Sequence, residues 1–184
     1  KHRARKRFVS CLAKYRKKNV ILSAESISGL GKKECADLLE LVMRQFDQVK
    51  VVIYFRPARL RMESAYQESL NHQFVSINQR VPINLKQSVS KFDKVFGKEN
   101  VILRLFAPSN FPNGNVVNDF LSLIGVEGDS VSTKRSNSSL SLQAVQLLYV
   151  YRKEFPTAVR EDKALLKKLA VLEGEIFQLH PDLM

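Results

Sequence analysis

Val49–Leu70, VKVVIYFRPARLRMESAYQESL, is the stretch on which the reading of this chain turns. Its first part, Val49 to Phe55, has the apolar, β-rich character of a buried parallel strand, and Met62, Tyr66 and Leu70 then recur at helical spacing. A strand therefore gives way to a helix. Pro57 is pre-set for a first helical turn and lacks the donor that such a turn leaves orphaned, so the helix is predicted to begin there. Arg56 then lies at the carboxyl edge of the strand, the edge at which open α/β sheets bind ligands. Ser64 follows eight residues later, and a guanidinium with a hydroxyl two helical turns on can hold one phosphate from two sides. The plainer alternative is that Arg56-Pro57 does no more than start a helix.

Upstream, Asn19 to Glu25 (NVILSAE) reads as a second buried strand. It is followed by Ser-Ile-Ser-Gly-Leu-Gly and an amphipathic helix from about Lys32 to Phe46, with Leu38, Leu39, Val42, Met43 and Phe46 inward. Strand, helix, strand and helix in that order predict a right-handed βαβ unit, with Glu25 and Arg56 facing one cleft. Downstream, Val101 to Phe106 is a third strand candidate, after a helix from about Asn84 to Phe96 that Gly97 ends. Val116, Val117, Phe120, Leu121 and Ile124 mark a further helix, stopped by Gly125.

Arg-Pro with Ser at this spacing after an apolar strand resembles the 3′-phosphate-binding motif of sulfotransferases that use 3′-phosphoadenosine 5′-phosphosulfate (PAPS). The Asp-Phe-Leu helix around Asp119 and the segment Arg135-Ser-Asn-Ser-Ser-Leu-Ser look like the bacterial branch of that family. The resemblance runs from about Asn19 to Tyr151. It implies an α/β fold, a three-layer P-loop-type domain with a mainly parallel central sheet flanked by helices. It also implies PAPS as co-substrate, no metal, and an acceptor hydroxyl on a glycan or small molecule. Arg56 and Ser64 would bind the cofactor's 3′-phosphate, with Lys134 and Arg135 added from a late basic loop. Glu25 would take the proton of the acceptor hydroxyl, and Ser23, two residues earlier, would bond to the sulfuryl group or to Glu25. Against these roles stand local ones: Glu25 and Ser26 as caps of the following loop, Ser138 or Ser139 as the cap of a helix from Leu140 to Tyr151, and Asp119 as a structural acid, since it would repel bound phosphate.

One part of the family pattern has no counterpart: nothing between Lys1 and Lys18 resembles a phosphate-binding loop, whose backbone donors and Lys would hold the 5′-phosphosulfate. The expectation is that an amino-terminal piece is missing and that residues 1–184 form one sulfotransferase-like domain. Residues 157–184 would close it with a helix on Leu165, Leu166, Leu169, Leu172, Ile176 and Leu179, packed on the sheet or offered as a homodimer contact.

A chain of 184 residues with 45% hydrophobic and 26% charged content can bury a real core and needs no second domain. No apolar stretch approaches the ~20 residues of a membrane span. Cys11 and Cys35 lack metal-ligand spacing and read as buried free thiols, which favours a reducing, cytoplasmic setting. His2, His72 and His180 form no cluster, and His72 is expected to face solvent. The net charge is +12, and residues 1–18 hold nine Lys or Arg and no acid. That run would bind polyanions in a salt-dependent way, but it lacks Trp and any nucleic-acid motif, so no specific nucleic-acid partner is expected. Two other classes stay open: a non-catalytic module of the same fold binding an acidic glycan or a protein, and a P-loop kinase, which lacks a magnesium-binding acid after a strand unless Glu25 serves.

Overall fold

The computed structural model describes residues 2–77, 85–127, 131, 139–156 and 163–179. Among the described residues the order is α1 (His2–Lys14), α2 (Lys32–Met43), β1 (Val51–Phe55), α3 (Ala58–His72), α4 (Leu85–Phe96), β2 (Val101–Leu105), α5 (Val116–Leu123), α6 (Leu142–Glu154) and α7 (Lys163–Ala170), with short 3-10 turns between. The class is α/β, with β1 and β2 forming a small parallel sheet flanked by helices. The chain gathers into two compact units, Lys1–Phe55 with Asn84–Arg104, and Arg56–Ile83 with Leu105–Met184.

In the first unit α2 packs against α4, and Leu12, Cys35, Val42 and Phe92 are buried. The first turn of α2 is closed by Glu34, whose Oε2 accepts from the Gly31 N–H at 2.8 Å. Gly97 ends α4 at φ 84°, a left-handed conformation that only glycine adopts without strain. Lys50, just before β1, donates to Glu99 O at 3.1 Å and Asn100 Oδ1 at 2.8 Å, tying the entries of the two strands together.

Asn19 to Glu25 is not a buried strand. Residues 19–24 carry no ladder, Glu25–Gly29 is a 3-10 turn, and the apolar side chains are open to solvent, Ile21 by 58%. Ala24 is extended, at φ −157° and ψ 139°, but extension alone makes no strand: among the described residues β1 pairs with β2 alone. The βαβ unit expected to open the chain is therefore absent among the described residues. Other inward assignments also shift: Met43 is 47% exposed, and Cys11 lies on the open side of α1 while Cys35 is buried. Burial pushes the Cys35 thiol pKa up, with Lys91 opposing and Glu34 adding to the rise.

The second unit holds the larger core. Tyr66 and Leu70 of α3, Ala144, Val145 and Leu148 of α6, Leu169 of α7, and Val75, Phe177 and Leu179 form one apolar cluster. Arg152 is buried within this unit. Its Nε donates to Leu70 O at 3.1 Å and its Nη2 to Asn71 O at 2.8 Å, satisfying carbonyls that the end of α3 leaves orphaned. Ser141 caps α6, its hydroxyl accepting from Ala144 N at 3.2 Å, so the cap is neither Ser138, outside the described residues, nor Ser139. The carboxyl-terminal helix is shorter than its pattern of leucines predicts. Helix α7 stops at Ala170 and the chain runs on irregularly, with Ile176 bridged to Ser141 and 74% exposed.

Candidate functional site

Arg56 is the first residue after β1, and α3 begins at Ala58 with Pro57 as its cap. Strand end and helix start are two residues apart, so the register of Ser64 relative to Arg56 is set by two turns of α3. Arg56 Nη1 donates to Ser64 Oγ at 2.7 Å. Because that hydroxyl oxygen is the acceptor, its own proton is left to donate elsewhere. Arg56 is exposed and Ser64 half-buried. Among the described residues no carboxylate pairs with the Arg56 guanidinium, whereas Arg59, one turn on, is held by Glu63 at 3.0 Å and by Gln178 at 2.8 Å. The Arg56–Ser64 pair therefore presents a cation and a hydroxyl donor side by side.

Sequence reasoning missed a third member. Phe106, the first residue after β2, lies under Arg56 with the guanidinium carbon 4.7 Å from the ring centroid. Phe106 in turn meets the buried Phe111 edge-on at 5.6 Å between centroids. A signal was available: Arg56 and Phe106 each stand one residue past the carboxyl end of a strand, and those strands are neighbours in a parallel sheet.

Ser23 and Glu25 belong to the first unit, where both line a cleft of about 540 Å³. Glu25 opens the 3-10 turn, and Ser28 Oγ donates to its backbone carbonyl at 2.8 Å, so the residue does begin a local loop structure through its main chain. Its carboxylate and the Ser23 hydroxyl make no hydrogen bond or ion pair among the described residues. Lys134 and Arg135 lie outside the described residues. Asp119 is buried on α5, one turn after the Asn115 cap. His72 is exposed and bonded to Glu68 at 3.0 Å. Among the described residues no cluster of His, Cys, Asp and Glu is placed to hold a metal, and no helix is long and apolar enough to cross a membrane.

No protein-family profile matches the chain, and no solved structure matches it. It is similar to an uncharacterized protein of Archaeoglobus fulgidus, 25% identical over 139 residues, which covers 72% of this chain and 37% of that protein. The chain thus spans little more than a third of the length of that relative.

Proposed function

We propose that this chain carries the 3′-phosphate-binding part of a sulfotransferase that uses PAPS, on a sheet belonging to a three-layer P-loop-type domain. The observation that carries the reading is the 2.7 Å contact from Arg56 Nη1 to Ser64 Oγ, made by the two residues of the family-like motif. The residues fit an anion: an exposed guanidinium without a carboxylate partner, a hydroxyl proton left to donate, and an aromatic ring limiting how the guanidinium can turn. Arg56 and Ser64 would hold the 3′-phosphate, with Lys134 and Arg135 as further donors. When bound, the co-substrate supplies the sulfuryl group, whose bond to the nucleotide phosphate breaks as the acceptor oxygen bonds to sulfur. Glu25 would accept the proton that the acceptor hydroxyl gives up, and Ser23 would orient that hydroxyl or the sulfuryl oxygens.

Calorimetry with 3′-phosphoadenosine 5′-phosphate against 5′-AMP at moderate salt isolates the 3′-phosphate. Selective binding of the bisphosphate, lowered at least tenfold by Arg56→Ala, is expected. Equal binding of the two nucleotides, or an affinity that Arg56→Ala leaves unchanged, would remove the assignment.

A second reading has its own support in α1, where Arg3, Arg5, Lys6, Arg7 and Lys14 are exposed and no acid interrupts them. This helix suits a polyanion, bound with steep salt dependence and without nucleotide selectivity. The Arg56→Ala arm of the same calorimetry separates the two readings, because a preference for the bisphosphate that rests only on its extra charge would survive that substitution.

A further inference from the structure

The positive charge of this chain is gathered at one end. Nine of its 30 Lys and Arg fall in residues 1–18, where there is no acid, which leaves 21 against 18 Asp and Glu in the rest. The eight basic side chains from Arg3 to Lys18 are all exposed, and among the described residues none is paired with a carboxylate. Helix α1 is fixed to the first unit through Leu12, 2% exposed, so its cations stay outward. Lys14 lies over the Tyr15 ring, 5.5 Å from the centroid.

The segment that follows is unlike a solvated basic tail. Directly after Asn19 it exposes Val20, Ile21 and Leu22, by 37%, 58% and 40%, and Tyr15 is 39% exposed. Val20 and Leu22 border the cleft of this unit, whereas Ile21 does not and is the most open of the three. Aliphatic side chains in water beside unpaired cations narrow the partner by its chemistry. A nucleic acid or an acidic glycan would neutralise the cations but has no use for the aliphatics. Unpaired bases are held by aromatic stacking, and the only exposed aromatic ring in residues 3–22 is Tyr15. The interface of an anionic bilayer takes both kinds of group: headgroups meet the cations, and the acyl boundary receives the aliphatics while Lys and Arg stems lie along it.

We propose that α1 and the segment through Leu22 form a docking surface for a membrane rich in anionic lipid, which the chain binds from one side without crossing it. The cations of α1 draw the chain to the surface, and Ile21 and Leu22 enter the boundary beneath the headgroups. This gives the polyanion reading of α1 a definite partner and rests on that reading for its charge, but it is independent of PAPS. Binding then has two parts: the electrostatic attraction weakens as salt rises, and the apolar insertion does not.

The chain contains no Trp, so Ile21→Trp places a single reporter in this surface, and Leu147→Trp, at an exposed position of the second unit, is its control. Each full chain is mixed with phosphatidylcholine vesicles with or without phosphatidylserine and followed by flotation and by indole emission. Emission of Ile21→Trp should shift to the blue, and be quenched by bromine on the acyl chains, only where phosphatidylserine is present; Leu147→Trp should not respond. Ile21→Gln with Leu22→Gln should weaken vesicle binding about fivefold or more at physiological salt and leave binding of a heparin oligosaccharide unchanged. Replacing Arg3, Arg5, Lys6 and Arg7 together by Gln should weaken both ligands; all six positions are exposed, so the fold is kept. Unshifted Ile21→Trp emission, equal binding to vesicles without phosphatidylserine, full affinity in the double Gln variant, or an RNA oligonucleotide that shields the Ile21→Trp indole as vesicles do would overturn the proposal. Heparin binding that survives where vesicle binding fails would sink this inference alone, and failure of both would sink the polyanion reading with it.

Discussion

The two units differ in what their polar groups do. In the second unit buried charge is used as a fastening: Arg152 closes the end of α3, and Glu63 accepts both from Arg59 Nε and from the Leu179 N–H at 3.0 Å. In the first unit the candidate catalytic groups, Ser23 and Glu25, lie along an open cleft without partners among the described residues, and the neighbouring Val20, Ile21 and Leu22 are exposed. On the proposed reading, the contrast fits different tasks. A site that holds a rigid anion gains from side chains set in place beforehand, and Arg56 is set in place by Ser64 and Phe106. A site that admits varied acceptors needs walls that adapt and polar groups not already satisfied.

Arg152→Leu is the strongest way to break this contrast. The substitution keeps apolar volume but leaves the Leu70 and Asn71 carbonyls without their donors, which costs about 2–4 kcal/mol for two buried acceptors. Urea unfolding should show that loss; a change under about 1 kcal/mol would mean the second unit is not held by its buried charge. Glu63→Ala is expected to cost less, about 1–3 kcal/mol, because one buried donor, Leu179 N, is orphaned while half-exposed Arg59 can turn to water. Glu63→Gln should recover most of the loss, since an amide oxygen still accepts from Leu179 N. If Gln and Ala cost the same, the ionic contact with Arg59 matters more than the hydrogen bond.

The same contrast marks what could be read from sequence. The turn from β1 into α3 and the ends of α4 and α5 at Gly97 and Gly125 were legible because each rests on local rules: strand composition, Pro at a helix start, and glycines at φ 84° and 71°. The approach of Ser64 to Arg56 was legible for the same reason, since helical spacing fixes it. Asn19 to Glu25 was misread because a strand depends on a partner that its own residues do not encode. The carboxyl-terminal leucines were misread because the helix stops at Ala170, and Leu179 and Phe177 reach the core from an irregular segment instead. Phe106 was missed because its value lies in a cross-strand neighbour, and single-sequence periodicity does not report such pairs.

Tyr66 sharpens the description of the second unit through pH. Burial, with Tyr149 nearby, raises its phenol pKa from 10.0 to about 12. The folded state therefore holds this proton more tightly than the unfolded one, so its contribution is complete below pH 10 and is lost as pH rises toward 12. Stability of the wild-type chain should fall more steeply across that window than stability of Tyr66→Phe, which keeps the ring that stacks on Phe177 at 5.7 Å. Parallel curves for the two proteins would place Tyr66 in a wetter environment than its packing indicates.

The smallest effect belongs to Phe106, and it tests whether the proposed anion site shares the rigidity of the unit that carries it. Phe106→Leu keeps an apolar residue against Phe111 but removes the π face under Arg56, an interaction worth about 0.5–1 kcal/mol at an exposed cation. Affinity for 3′-phosphoadenosine 5′-phosphate should fall about two- to fivefold, with unfolding stability nearly unchanged. Phe106→Tyr, which keeps the ring, should bind as the wild type does. A loss much larger than fivefold would mean that the ring touches the ligand itself. No loss at all would mean that the Ser64 contact alone orients the guanidinium, and the clamp would then reduce to the two residues of the sequence motif.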